Sequence, residues 1–297
     1  MKKSLIITGV TLMVVGFVIF TVVMAVLGFD FRDLTTVEYV ENNYTFSESV
    51  ENITINTDTA DVTFHRSDDH TVRVELFEEE KCPHTVTLKD DTLSVEIDNN
   101  KNWYDYVCVN FRTPEIKVYL PEKSYESLNI HLSTGDVGLP NFAEFTDVEI
   151  SGSTGDVRCD SLTGEKVYIT LSTGDVYLNN MNFGDISISQ STGKAEVFNV
   201  TCESLVITGD TGDIELNNVT ARDKFTFERS TGDIEFDSCD AEEIFIKTST
   251  GDVEGTLLSD KLFVVDTSTG DVEVPQSTSG GRCEVKTSTG DIEIDVK

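Results

Sequence analysis

Ile244-Phe245-Ile246-Lys247-Thr248-Ser249-Thr250-Gly251-Asp252-Val253-Glu254 places apolar residues at alternate positions around a Ser-Thr-Gly-Asp tetrapeptide. The Thr-Gly pair recurs with its glycine at Gly135, Gly155, Gly174, Gly193, Gly212, Gly232, Gly251, Gly270 and Gly290, a period of 19 with occasional single insertions. Asp follows the glycine in eight of nine copies, Lys194 being the exception, and Ser precedes the Thr in eight of nine, Asp210 being the exception. Two residues past each glycine stands a small or aliphatic residue, from Val137 and Val157 through Ala195 to Ile292. Seven and five residues before it stand apolar pairs, from Leu128 and Ile130 to Cys283 and Val285. Positions four and seven past the glycine add Leu139, Cys159, Leu178 and Val197, then Phe142, Leu162, Met181, Val200 and Leu258.

Alternation with period two is the signature of strands with one buried face. Each repeat therefore supplies two short strands, joined at the Ser-Thr-Gly-Asp corner where glycine takes a positive φ without steric cost. A second corner falls at Asp160-Ser161, Asn179-Asn180, Asn217-Asn218 and Asp237-Ser238, residue types that satisfy turn backbone with their own side chains. Because equivalent positions keep one residue class, each strand is expected to pair with its counterpart in the next coil, burying five apolar columns. The predicted fold is all-β: a single-stranded parallel β-solenoid with coils of 19 or 20 residues, preceded by one transmembrane α-helix. Nine coils at strand spacing make a rod of roughly 40 Å.

Upstream of the array, residues 50–126 alternate less regularly. Ile53, Ile55, Val62 and Phe64 flank Thr59-Ala60-Asp61, a degenerate corner; strands around Val74, Val95 and Val118 complete an irregular cap with the first coils. Residues 127–297 form the regular array, which stops at Lys297 without an evident cap, so the carboxyl-terminal coil is a candidate self-association surface partly guarded by the charges of residues 295–297.

Residues 4–29 contain no charge, and 25 helical residues span about 37 Å, enough to cross a hydrocarbon layer. Lys2 and Lys3 precede this run, while Asp30 and Asp33 surround Arg32 after it, which places residues 1–3 in the cytoplasm, 4–29 across the cell membrane and everything after about Phe29, beginning with a 30–49 linker, outside. The run exceeds a signal-peptide core, and Ala25 forms no small-x-small cleavage site, so an anchor is expected.

The chain carries 22 Lys+Arg against 54 Asp+Glu, a formal net charge of -32, which excludes nucleic acid as a partner. The acids form a ribbon. Asp136, Asp156 and Asp175 precede the paired positions Asp213 and Glu215, Asp233 and Glu235, Asp252 and Glu254, Asp271 and Glu273, Asp291 and Glu293, with Glu196 beside Lys194. Unit charges ~4.8 Å apart repel by roughly 0.9 kcal/mol in water, so the ribbon must stay wet, bond turn amides or bind cations. Calcium suits such oxygens, but neither the nine-residue nor the 12-residue calcium pattern is present, and the favoured reading has the Asp bonding backbone while the Glu is solvated. No cofactor motif is present.

Of six cysteines, Cys159, Cys239 and Cys283 fall in apolar columns, Cys202 fits none, and Cys82 and Cys108 in the cap are a candidate pair. None of the four histidines, His65, His70, His84 and His131, has a nucleophile signature beside it. Trp103, Tyr104 and Tyr106, with Asn102 and Asp105, read as a capping cluster or a stacking platform. No catalytic constellation emerges, so the chain is not expected to be an enzyme.

The anchor, Val50-Glu51-Asn52-Ile53-Thr54-Ile55, the Ile116 strand ending in Leu120-Pro121, Leu128-Asn129-Ile130 and the serial corners together resemble the bacterial "putative adhesin" family with β-strand repeats, over residues 50–297. The resemblance implies a surface-exposed solenoid associated with the cell envelope, and it brings no catalytic residues. The expected function is an anchored, extracytoplasmic binding or display module for envelope or protein partners. A self-assembling surface scaffold and a carbohydrate-active β-helix enzyme are the alternatives.

Overall fold

The computed structural model describes residues 2–26, 28–29, 37–98 and 112–297. An α-helix, Lys2–Val26, precedes a β-solenoid in which each coil contributes two strands. The strands leading into the corners stack in parallel, in-register order: Leu128, Val148, Val167 and Ile186 lie side by side, as do Ile130, Ile150, Ile169 and Ile188. The strands leaving the corners stack likewise, with Val157 between Val137 and Val176. These columns are buried and form one continuous core.

Both corners have the expected chemistry. The nine corner glycines hold φ between 125 and 149°, and a Cβ on any of them would lie 1.8 to 2.2 Å from a carbonyl oxygen of the adjoining coil. At the second corner Ser161, Asn180, Asn199, Asn218 and Ser238 take φ of 52 to 65°. Side chains at this corner are laddered: Asn179 Nδ2 donates to Asp160 Oδ1, Asn199 Nδ2 to Asn179 Oδ1 and Asn218 Nδ2 to Asn199 Oδ1, each at 3.0 Å.

Two column assignments need correction. Cys202 does belong to a column: it pairs with Ala221 and is buried, as are Phe183 and Ala241 at the equivalent positions. Leu258 does not: a register irregularity after Phe236 brings Leu257 opposite Cys239, and Leu258 is exposed.

Coil order departs from sequence order at both ends. The coil made by Thr92–Ile97 and Glu115–Leu120 stacks outside the one made by Asn52–Thr59 and Asp61–Arg66, whose other side receives Ser124–Thr134. Antiparallel strands extend this end: Val72–Glu79 on Glu115–Leu120, Tyr39–Phe46 on Val72–Glu79, and His84–Lys89 on Thr92–Ile97. At the other end the final coil is not terminal. Gly281–Thr289 lies between Glu243–Lys247 and Lys261–Thr269, and Ile292–Val296 lies between Val253–Leu257 and Val272–Glu273. The terminal face therefore belongs to the penultimate coil, and the expectation of an open end at Lys297 is corrected. Lys297 is itself secured, its amide donating to Leu257 O at 2.9 Å and its Nζ lying 2.8 Å from Asp237 Oδ1.

The cap holds a buried polar network. Glu78 Oε2 accepts from the His84 amide at 2.6 Å and lies 2.7 Å from His84 Nδ1, Asn42 Nδ2 donates to Glu78 Oε1 at 2.6 Å, and His84 Nε2 lies 2.9 Å from Thr57 Oγ1. Burial alone would raise the Glu78 carboxyl, but these hydrogen bonds outweigh it and hold the group below the ordinary glutamate range. Its contribution to stability is thus present above that range and lost as pH falls through the lowered value.

Two outcomes are expected. Gly174→Ala should lower unfolding stability by about 3 kcal/mol or more, because both the backbone conformation and the space exclude a Cβ; an unchanged denaturation midpoint would contradict this. Glu78→Gln should cost ~3 kcal/mol near neutral pH, as expected when one partner of a buried pair is removed, and this cost should shrink in acid unfolding titrations below the glutamate range.

Candidate functional site

The Asp that follows a corner glycine is exposed along most of the array, and, Asp271 apart, one of its oxygens is committed to backbone. Asp61 Oδ1 accepts from the Asp136 amide at 2.9 Å, Asp136 Oδ1 from Asp156 N at 2.9 Å, Asp156 Oδ1 from Asp175 N at 2.8 Å, and Asp175 Oδ1 from Lys194 N at 2.7 Å. Lys194 has no carboxylate to pass on, and the ladder restarts at Asp213, which accepts from Asp233 N at 3.0 Å; Asp233 then accepts from Asp252 N at 2.9 Å. Because the last coil is inserted, Asp252 accepts from Asp291 N at 2.8 Å and Asp291 from Asp271 N at 2.7 Å. The degenerate corner at Asp61 thus joins the same ladder, each carboxylate capping the next coil while keeping a second oxygen for solvent or a ligand.

Two residues on, the glutamates stand directly across neighbouring strands in the order Glu196, Glu215, Glu235, Glu254, Glu293, Glu273. Lys194 neutralises one end of this line: its Nζ lies 2.5 Å from Glu215 Oε2 and 3.2 Å from Glu196 Oε1, contacts that raise its own pKa. Among the described residues no cation pairs with the glutamates at the other end. Partial burial, followed by repulsion from Glu293, Asp252, Glu235 and Asp233, raises the Glu254 carboxyl. Glu215, Glu235, Glu254, Glu293, Asp237 and Asp295 line a shallow open concavity of about 340 Å³ on this face.

All ten carboxylates of the sequence-derived ribbon, from Asp213 to Glu293, therefore lie in two adjacent lines. They do not converge: among the described residues no three His, Cys, Asp or Glu side chains gather as a metal cluster. What the arrangement offers chemically is a long negative field, suited to a partner presenting spaced cationic groups.

Burial pushes the thiols of Cys202, Cys239 and Cys283 up to about 12 and raises that of Cys159 further, so these four free cysteines act as small core residues. Cys82 is buried in the cap, while Cys108 and the cluster of Asn102, Trp103, Tyr104, Asp105 and Tyr106 lie outside the described residues. His131 Nδ1 sits on the exposed surface 2.7 Å from Ser151 Oγ. The Thr57, His84 and Glu78 network escaped the sequence reading; its signal was a single polar residue at one inward-facing position of each of three alternating strands, the other inward positions being apolar.

A parallel β-solenoid with a carboxylate-capped corner is the class of protein these features define. Residues 50–236 and 184–297 match the family model described as Toastrack DUF4097, and the chain belongs to that family. No curated protein matches it. Among solved structures it is similar to a "putative adhesin" from Bacteroides fragilis, at 18% identity and a TM-score of 0.51 over 86% of this chain and 97% of that one. A "putative adhesin" from Parabacteroides merdae gives 14% identity and a TM-score of 0.45, covering 73% of this chain and 96% of that one. Another from Parabacteroides distasonis gives 13% and 0.43, covering 85% and 98%. Neither the family nor these neighbours is named for an enzymatic activity.

Glu254→Gln should stabilise the chain by ~0.2–1 kcal/mol by relieving like-charge pairs across strands, and the gain should diminish as added salt screens the line. Thermal unfolding in low and high salt measures both, and a loss of stability would contradict the repulsion.

Proposed function

We propose that this protein is a membrane-anchored, extracytoplasmic display module, non-catalytic, whose solenoid presents its acidic face to cell-envelope or protein partners. The observation that carries this reading is the helix Ile7–Val26: uncharged, apolar on every side, and exposed in the protein along nearly its whole length. Such a surface is stable only when lipid covers it. Lys2 and Lys3 before the helix and the acidic chain after it support an amino terminus in the cytoplasm. The adhesin designation of the Bacteroides fragilis neighbour accords with a surface role.

A rod of stacked coils also suits display. Each coil is braced by its neighbours on two sheets, so the acidic face keeps its spacing as it projects from the membrane. A binding partner is then selected by charge spacing, with no requirement for a closed pocket.

In bacterial cells expressing the full chain, the protein should resist alkaline extraction of membranes, retain its first 29 residues, and lose its carboxyl-terminal part to protease added outside the cytoplasmic membrane. Release of a shortened soluble chain would overturn the anchor, and protection of the carboxyl-terminal part would overturn the orientation.

A further inference from the structure

Outside the amino-terminal helix and Phe29, five large apolar side chains are exposed among the described residues, and three of them sit on one coil. Leu262, Val264 and Val272 are 43, 47 and 45% exposed, while Leu258 and Tyr168 lie on interior coils. In the same coil as the three, Phe263, Val265 and Val274 occupy core positions yet remain only partly buried, because no described strand stacks beyond them. Lys261–Thr269 pairs on one side only, with Gly281–Thr289, and is nine residues long. Natural edge strands of that length are usually guarded by lysine, proline or a bulge. Here Lys261 is turned inward, buried, with its Nζ 2.5 Å from Asp240 Oδ1, which leaves Asp266 as the one outward charge on the strand before the corner.

The opposite end of the rod differs. Its outer strands are antiparallel additions, Tyr39–Phe46 bearing Glu41, Asn42 and Asn43, and His84–Lys89 bearing Lys89, and neither exposes a large apolar side chain. A head-to-tail contact between copies would have to join this polar end to the apolar one. A head-to-head contact joins two identical apolar faces instead, and such an isologous interface closes on itself.

We propose that the coil spanning residues 261–277 is a homodimerisation face, on which a second copy of this chain docks head to head through antiparallel pairing of Lys261–Thr269 with its counterpart. Coil-on-coil stacking is the contact that builds the rest of the rod, so the end coil presents a surface already shaped for another coil. An axis crossing the strand near Val264 opposes Phe263 to Val265 of the second copy and so continues the core. The same rotation carries the two Gly-Asp corners to opposite edges, so the acidic lines of the copies do not meet end to end. The two amino-terminal ends point away from each other, so a dimer joins anchors at opposite ends of one doubled rod. This pairing holds whether or not the helix remains as an anchor.

The test is light-scattering mass of the full chain in detergent micelles over a dilution series, with far-UV circular dichroism to verify folding. The wild-type chain should dimerise, and the double variant Leu262→Lys with Val264→Lys, both outward-facing, should raise the dissociation constant at least about ten-fold. Val272→Lys, on the outgoing strand of the same coil and 45% exposed, serves as a second disrupting variant should the first disturb folding. Tyr168→Lys, on an interior coil, should leave the dimer intact. A monomeric wild type, open-ended oligomers, a dimer indifferent to both disrupting variants, or one equally lost in Tyr168→Lys would each overturn the proposal.

Discussion

The close approach of backbone to backbone at the Ser-Thr-Gly-Asp corner governs this structure. There the carbonyl of one coil occupies the space that a Cβ of the next would need, at every one of the nine copies. Only glycine permits that approach, and only with glycine can the chain turn at a φ near 140° while adjoining strands keep hydrogen-bonding distance. The period of the sequence is thus a steric period. Once the corners are superposed, residues at equal offsets fall into line, apolar ones inward and acidic ones outward.

The acidic lines follow from the same superposition and carry an electrostatic cost that the corner partly offsets. Each ladder Asp accepts an amide hydrogen from the next coil, a charge-assisted bond that stabilises the carboxylate and fixes the coil spacing at once. The glutamates two residues on have no such role in the backbone. They are tolerated because they stay in water and because Lys194, at the one corner lacking Asp, pairs with two of them. A field that is structurally idle and unevenly neutralised is what a binding face for cationic groups would retain.

Much of this was legible in the sequence because repeats convert three-dimensional neighbours into residues of equal offset. The corner, both strands of each coil and the order of the acidic columns over Asp136 to Asp252 all follow from that rule. Where neighbours are not sequential, the rule has nothing to say. The exchange of coils at each end left no trace in spacing, since Gly270 and Gly290 continue the same period whichever stacks first. Cys202 escaped assignment because its column mixes Phe183 with the small residues Ala221 and Ala241, so no single residue class recurs at that offset. Glu78, His84 and Thr57 were hidden by polarity: the alternation is intact in their strands, but polar residues take the inward places and satisfy one another.

The order of the last two coils has a local cause. Val253–Leu257 offers five positions for pairing, and Ile292–Val296 fills all five in register, from Ile292 beside Val253 to Val296 beside Leu257. The intervening repeat cannot match this. Its outgoing strand is Val272–Glu273, followed by Val274 and Pro275, and a proline has no amide hydrogen to give to a ladder. Placing that repeat inside would leave the strands on both its faces unpaired beyond two residues; placing it at the rim confines the deficit to one. The incoming strand suffers no such truncation, so the rim coil keeps a long, unguarded edge on one sheet and a short, proline-limited one on the other. A single proline thereby decides both which repeat ends the rod and which sheet remains free to extend.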